Sequence, residues 1–430
     1  MAASKTRISF LVILGALMSI TSLSTDIYLP ALPTMEAALG GDSELTITGF
    51  LIGFSLAQLL WGPISDRIGR KIPLSIGIIL FIIGSIGCAT STSMTMVVFW
   101  RVFQALGACV GPMLSRAMIR DSYEVTEAAR TLSTLAMIMA VAPIAGPLLG
   151  GALLTIGTWK LIFWAMAGAG VIFFGTIFLL PETLPPASRT HQLLWETFVN
   201  YWTLLKTRTF MRYVLCVTAF YVAAYAFITG SPKVYITYFG VPEQYYGLFF
   251  GCNIIGLTLV SALNRRLVMS YTMDTLLRRS LVVAVISVVI LTIFSITGIG
   301  GLWGIVIPMF VMFSTNGIIA SCTNAAALNA VPPTMTGAAA ALLGSLQYGS
   351  GIISSLLLAL FVSDTPYAMT SIITFFVVLS ALCMVGSTLG EVTLDNDLQV
   401  RPLHGGEHRS SCPTGSAGRR QALIYAVRVN

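Results

Sequence analysis

Most of the apolar residues of this 430-residue chain fall in twelve runs, each long enough to cross a lipid bilayer. The runs are 8–32, 45–64, 72–91, 94–115, 131–155, 159–180, 211–230, 245–264, 280–298, 301–323, 335–361 and 366–389. A spanning helix needs roughly 20 mostly apolar residues. Inside hydrocarbon every backbone N–H and C=O must be paired within the protein, which leaves helices or a closed barrel. Runs of this length predict helices, so the expected fold is all-α and polytopic, with twelve transmembrane helices. Composition fits: the chain is 56% hydrophobic and 10% charged, where a soluble globular domain carries about a quarter charged residues.

Two ionisable side chains lie well inside these runs. Asp26 ends ISFLVILGALMSITSLSTD, and Arg101 interrupts SMTMVVFWRVFQALG. A charge at that depth is costly, so such residues usually face a protein interior or a water-filled cavity and serve function. The first helix runs outward and the fourth inward. At about 1.5 Å per residue both side chains fall at a similar depth below one surface. A cation beside a carboxylate favours its ionised form and burial disfavours it. The spacing therefore predicts a proton-coupling site in which Asp26 is the exchanging acid and Arg101 tunes it, the competing role being a static ion pair.

Basic residues set the expected orientation. With the N-terminus in the cytoplasm, Lys5, Arg7, Arg67, Arg70, Lys71, Arg116, Arg120, Arg130, Arg189, Lys206, Arg208, Arg212, Arg265, Arg266, Arg278 and Arg279 all fall inside. Lys160 and Lys233 fall outside, with Glu36, Asp42, Glu44, Glu243 and Asp364. The positive-inside rule then puts both termini in the cytoplasm. The net charge of +7 is mostly this asymmetry, so no nucleic-acid surface is read into it. The cysteines in the apolar runs stand singly, without metal-ligand spacing, and no disulfide is expected. His191, His404 and His408 lie in polar segments, so neither a metal site nor a cofactor is expected in the bundle.

The longest internal polar stretch, 181–212, divides the spans six and six. The chain is read as an N-terminal bundle (1–184), a cytoplasmic linker (185–210), a C-terminal bundle (211–390) and a disordered cytoplasmic tail (391–430). Trp195, Phe198, Trp202 and Leu205 suit a short amphipathic helix in the linker. The halves retain a trace of repetition. GFLIGFSLAQLLWGPISDRIGRK (49–71) lies over GLFFGCNIIGLTLVSALNRRLVM (247–269) without a gap, setting Gly49 on Gly247, Asp66 on Asn264 and Arg67 on Arg265.

The loop after the second run reads Gly62-Pro63-Ile64-Ser65-Asp66-Arg67-Ile68-Gly69-Arg70-Lys71. Gly62 and Gly69 permit a tight turn, and the charges suit a latch that holds one conformation and releases another. Gly146 and Gly150 form a small-residue packing face, and Pro143 and Pro147 let their helix bend. This segment is expected to pack on the opposite bundle and close the outer side. Tyr221, Tyr225, Asn253, Asn316 and Gln347, with Asn324 and Tyr348 nearby in sequence, are polar and aromatic groups within the second-half runs. Together with Tyr28 they are the substrate-binding candidates, since a pocket for a moderately apolar molecule uses aromatic surface and a few amides.

The 62–71 loop resembles the signature loop of the major facilitator superfamily. Phe99-Trp100-Arg101-Val102-Phe103-Gln104-Ala105-Leu106-Gly107 resembles its fourth-span motif, and 142–151 (APIAGPLLGG) its drug-antiporter fifth-span motif. STDIYLPALP (24–33) and Arg120-Asp121-Ser122-Tyr123 are similar to the Bcr/CflA subfamily, whose members include bicyclomycin and chloramphenicol exporters. The resemblance covers roughly residues 8–389. It implies the two-bundle fold, a gating role for Asp66, Arg67, Arg70, Arg120 and Asp121, and a bacterial inner membrane. It further implies a monomer that exchanges protons for a small drug. Lys233, where an apolar residue is expected, and the tail depart from the pattern. An uptake symporter of the same fold is the alternative. Hydrolase signatures and a nucleotide-binding GxxxxGK[ST] loop are absent from the sequence.

Overall fold

The computed structural model describes residues 2–399, apart from 191–193, 333–334 and 362–364. Its described residues contain no strand. Among the described residues eleven helical segments are long and apolar enough to span a membrane, and Val141–Ile156 is a further apolar stretch, part of the longer helix Val125–Ile156. Together they account for the twelve apolar runs.

The first span is built in pieces: Ala2–Asp26, a 3-10 turn Leu29–Ala31, and Leu32–Leu39. The second is Glu44–Ile68 and the third Lys71–Thr90. The fourth comprises Met94–Ala108 and Val110–Ser122, the fifth is Val125–Ile156 and the sixth Trp159–Ile177. A linker helix, Leu194–Lys206, precedes the seventh span, Arg208–Pro232, which passes into a π-helical turn, Lys233–Tyr238. The eighth to eleventh spans are Glu243–Leu267, Met273–Thr297, Gly301–Asn329 and Thr336–Leu360.

The last helix, Tyr367–Gln399, runs past Leu389, where the sequence reading begins a disordered tail. Extending a formed helix is far cheaper than nucleating one, and Glu391, Leu394 and Leu398 are good helix formers. The compact unit ends at Val385, and the described residues from Gly386 onward belong to a second unit. Residues 400–430, with His404 and His408, lie outside the described residues, as does His191.

Packing follows the small residues. The third and fourth spans approach at backbone distance: a Cβ on Gly84 would meet the Gln104 backbone, and one on Gly107 the Phe81 backbone. Close backbone approach replaces a hydrophobic driving force that helices in lipid do not have. Neighbours repeat with a shift of six spans. The second span packs on the fourth and the eleventh, while the eighth packs on the tenth and the fifth. The first packs on the fifth as the seventh packs on the eleventh. This is the three-dimensional counterpart of the 49–71 and 247–269 similarity.

The two ends of the bundle differ. At the end carrying Glu36, Asp42, Glu44 and Glu243, the halves touch backbone to backbone through the fifth and eighth spans, beside a cavity of about 290 Å³ between Leu32, Glu36 and Glu44 on one side and Thr229, Pro232 and Lys233 on the other. A Cβ on Gly151 would lie 3.0 Å from Gln244 Cα, and one on Gly247 would lie 2.8 Å from the Leu148 nitrogen. Thr34 Oγ1 donates to Glu243 Oε1 at 2.6 Å, and the hydroxyls of Thr48 and Ser355 meet at 2.6 Å. At the opposite, basic end a cavity of about 260 Å³ lies between the halves. It is lined by Asp66, Arg67, Arg70 and Arg120 on one side and by Gly337, Ala338 and Ala341 on the other.

Gly150 tests how tightly the first and fifth spans must fit, because a Cβ there would sit on the Ile27 carbonyl oxygen. Gly150→Ala is expected to destabilise the protein by about 1–3 kcal/mol through overpacking, read as a lowered midpoint of thermal unfolding in detergent. Gly168→Ala, with nothing within 4 Å, is the control. Equal midpoints for the two variants would contradict the packing.

Candidate functional site

Pro30 and Pro33 explain why the first span breaks. Neither has an N–H, so the regular helical bonds back to Asp26 and Leu29 cannot form. The chain turns instead through Ile27 and Tyr28, and Ala31 N donates to Tyr28 O at 2.9 Å. Asp26 is the last residue before the break. Its span continues to Leu39, so it lies deeper than its distance from the end of the apolar run implies. Asp26 is buried, at 6% exposure, and accepts a hydrogen bond from Thr25 Oγ1 at 2.9 Å.

The fifth span seats against this break. A Cβ on Gly146 would lie 3.2 Å from Asp26 Cβ. Gly146 and Gly150 therefore face the first span, in their own half, rather than the opposite bundle expected from sequence. Residues four apart share a helix face, and it is the neighbouring face, with Ile144, Leu148 and Gly151, that meets Gly251, Gly247 and Gln244 of the eighth span. One helix thus touches the acid on one side and the other half on the next. The helix runs unbroken through Pro143 and Pro147.

Arg101 is wholly buried. Its Nη1 donates to Ser24 O at 3.0 Å and to Gln104 Oε1 at 2.5 Å, and its Nε reaches Thr46 O at 3.4 Å. The guanidinium lies between two rings, 4.2 Å from the centre of Tyr28 and 4.4 Å from that of Phe50. Gln104 in turn donates to Ser85 Oγ at 2.7 Å. Nη2 has no hydrogen-bond partner. Among the described residues no ion pair joins Arg101 to Asp26, so the static-pair alternative is not the arrangement found. The cation is held two residues from the acid, on the Ser24 carbonyl, and acts on it through space.

Tyr28, a substrate candidate from sequence, belongs to this cage. It is fully buried, its ring is under Arg101, and its hydroxyl pairs with Thr46 at 3.1 Å. The other candidates divide. Tyr221 and Tyr225 stand 6.3 Å apart, Tyr348 is 6.3 Å from Tyr225, and Phe54 of the second span is 4.3 Å from Tyr348. Asn316 lies against the Tyr221 hydroxyl, and its Oδ1 is buried without a partner. This aromatic cluster spans both halves, and Asp26 is close enough to act electrostatically on Tyr225 and Tyr348. Asn253 on the eighth span donates to Phe249 O at 2.9 Å and also has an orphaned Oδ1. Buried amide oxygens left unpaired are costly and suit a ligand that brings an O–H or N–H. Gln347 is occupied differently, reaching Asn324 Oδ1 at 3.5 Å.

The gating candidates form a network at the basic end. Arg70, 7% exposed, bonds Asp66 at 2.5 Å, Asp121 at 2.8 Å and Ser65 Oγ at 2.7 Å. Its own N–H and that of Lys71 donate to Glu182 at 2.9 and 3.1 Å. One arginine thereby ties the second and fourth spans to the chain after the sixth. Gly69 has φ of 99° and a Cβ there would meet Glu182, so both conformation and space require glycine. A Cβ on Gly62 would meet Met113 at 2.8 Å. Arg67 and Arg120 are exposed and line the basic-end cavity. Sequence reasoning gave no role to Glu182, Ser65, Thr46, Phe50 or Ser85. Only Gln104, three residues from Arg101 on one helix, carried a readable signal.

The profile of the Major Facilitator Superfamily matches residues 14–355. The uncharacterized MFS-type transporter YdgK of Bacillus subtilis is 33% identical over 390 residues, 89% of this chain and 96% of its own length. A bicyclomycin resistance protein homolog of Haemophilus influenzae is 28% identical over 382 residues, 88% of this chain and 96% of its own. A chloramphenicol resistance protein of Pseudomonas aeruginosa is 28% identical over 299 residues, 68% of this chain and 70% of its own. The xylose transporter XylE of E. coli, in a partially occluded inward open conformation, superposes with a TM-score of 0.67 at 14% identity, covering 88% of this chain and 98% of that one.

Two outcomes follow from the site. Arg101→Lys is expected to lower the thermal midpoint, with a loss of about 1–3 kcal/mol. An ammonium can neither lie flat between Tyr28 and Phe50 nor reach all three acceptors. A midpoint equal to the parent's would contradict the cage. At the basic end, partial burial would raise the pKa of Glu182. The N–H groups of Arg70, Leu184 and Lys71, with Arg189, outweigh it and hold the pKa below its usual 4.5. A depressed carboxylate stabilises above its unfolded pKa, and that contribution is lost as pH falls through the folded value. Amide exchange at Arg70 and Lys71, corrected for intrinsic rate, should therefore be slow at neutral pH and quicken in acid. Glu182→Gln should exchange quickly at every pH.

Proposed function

This chain belongs to the major facilitator superfamily, and from that premise we propose that it is a Bcr/CflA-type multidrug transporter that exports a small drug in exchange for protons. Its relatives carry small molecules across membranes, and two that bear the name of resistance proteins align with most of its length. The substrate class proposed is a moderately apolar, hydroxyl- or amide-bearing antibiotic such as a phenicol or bicyclomycin. The observation that carries the reading is the position of Asp26. This buried carboxylate sits at the broken step of the first span, against the fifth-span helix that also packs on the other half.

The proposed cycle uses these parts in order. Both termini face the cytoplasm, so the basic-end cavity faces inward. Drug enters it and moves toward the Tyr221–Tyr225–Tyr348 cluster, where Asn316 Oδ1, and Asn253 Oδ1 on the neighbouring span, accept its donors. The cavity changes sides by alternating access, as the seal at Gly151, Gly247 and Thr34 parts and the basic end closes. With the outer side open, Asp26 takes a proton and the drug leaves. Neutralising the carboxylate removes its attraction to Arg101, and returning the proton to the cytoplasm restores it, which couples charge to conformation. Arg70, Asp66 and Asp121 hold the basic end of the first half rigid while the second half swings. Arg67 and Arg120, facing across the cavity, act when it closes.

Everted membrane vesicles with an imposed pH gradient and radiolabelled chloramphenicol test the proposal. Gradient-dependent accumulation is expected with the parent, falling by about tenfold or more, toward background, in Asp26→Asn. Undiminished accumulation in Asp26→Asn would reject the proton site while leaving export. Flux in the opposite direction would make the protein an uptake symporter.

A further inference from the structure

The linker helix Leu194–Lys206 has two unlike faces. Thr197, Asn200 and Tyr201 line the basic-end cavity. Tyr201 is 5% exposed, and its hydroxyl donates to Leu59 O of the second span at 3.1 Å. Leu204, at 1%, packs with Ala339 and Leu342 of the eleventh span. The helix therefore touches both halves at the end where the cavity lies. Its other face is apolar and uncovered: Trp195 is 74% exposed, Trp202 62%, Val199 48% and Phe198 43%.

We propose that this outer face docks on an anionic lipid surface, so that the linker helix is a lipid-anchored wall of the inner cavity whose seating sets how far that cavity opens. Three features select the occupant. Arg208, two residues beyond the helix, begins the seventh span, so the face continues the lipid-covered perimeter of the bundle. Large aromatic side chains on an amphipathic helix suit the boundary between headgroups and acyl chains. Exposed Lys206 and Arg208 stand beside it, the Lys206 ammonium 4.9 Å from the Trp202 ring, and basic groups at that level attract anionic headgroups. Glu196, also exposed, is the one opposing charge on the described turns of the helix. Tyr201 transmits the seating: it cannot keep both the Leu59 carbonyl and its place against the eleventh span if the helix lifts.

The test uses the full chain in phosphatidylcholine vesicles, with and without phosphatidylglycerol. An environment-sensitive fluorophore on Val199→Cys, with the labelled parent as blank, should shift to the blue. Brominated acyl chains should quench it, with quenching about twofold stronger when phosphatidylglycerol is present. Lys206→Glu with Arg208→Glu should abolish that difference. Spin labels on Thr197→Cys and Gly337→Cys, across the cavity, should report a distance that changes with phosphatidylglycerol in the parent and does not change in Trp195→Gln with Trp202→Gln. Water-like emission in every vesicle would overturn the docking. A distance indifferent to lipid would overturn the control of the cavity. Neither readout measures transport, so failure of the export reading would leave both intact.

Discussion

A guanidinium that is never deprotonated has to be housed wherever the chain leaves it, and Arg101 is left in the middle of a hydrophobic bundle. Its burial fixes much of the N-terminal half. Ser24 of the first span, Thr46 and Phe50 of the second, and Gln104 of its own span surround it, and Ser85 of the third and Met166 of the sixth hold Gln104. Removing any of these groups leaves a charge under-solvated at a depth where water cannot replace it. Five spans are therefore registered on one residue. That rigidity is useful because Asp26, two residues beyond Ser24, takes its place from the same frame.

The acid itself sits where the helix of the first span breaks. Two prolines break the first span just after it, and two glycines of the fifth span fill the space that the break leaves. A bulkier fifth span could not reach Ile27, and an unbroken first span would carry the backbone past in a regular helix. The same fifth-span helix presents its adjacent face to the eighth span. A change in charge at Asp26 is thus one helix removed from the interface between halves, without any chain of intermediaries.

How much of this was legible in the sequence depends on distance along the chain. The twelve spans were legible because each carries its own signal, about twenty apolar residues. Asp26 and Arg101 stood out because hydrocarbon makes any charge conspicuous. The pairing between them was not legible. Spacing puts both near one depth and leaves tuning at a distance and a static ion pair both open, whereas the aromatic faces and backbone carbonyls that hold the guanidinium leave no mark in a linear pattern. The spacing of Gly146 and Gly150 marks a small-residue face, but which neighbour that face meets depends on how the helix is rotated, and here it meets Asp26 and Ile27. Glu182 was invisible for a simpler reason: it reaches Arg70 from 112 residues away. The place of Tyr28 under the guanidinium is not legible, because a tyrosine beside an acid offers the same sequence whether its ring faces a cavity or a cation.

The internal repeat shows where the halves have diverged. Asp66 in the first half corresponds to Asn264 in the second, which is 7% exposed and lies near Cys322. The first half thus has a charged clamp at its basic end, built on Arg70, and a buried cation at its centre. The corresponding turn in the second half has Asn264 in place of the acid, the next acid, Asp274, accepts from the Tyr213 hydroxyl at 3.1 Å, and that half contributes tyrosines and orphaned amide oxygens. Permanent charges demand fixed partners and make a stiff body, whereas neutral dipoles can exchange partners at little cost. The two halves therefore differ in stiffness as well as in charge. The linker helix touches both halves at the basic end, where Tyr201 closes the gap between the stiff second span and the more adaptable eleventh. A helix outside the membrane-spanning core thus joins the two halves at the basic end.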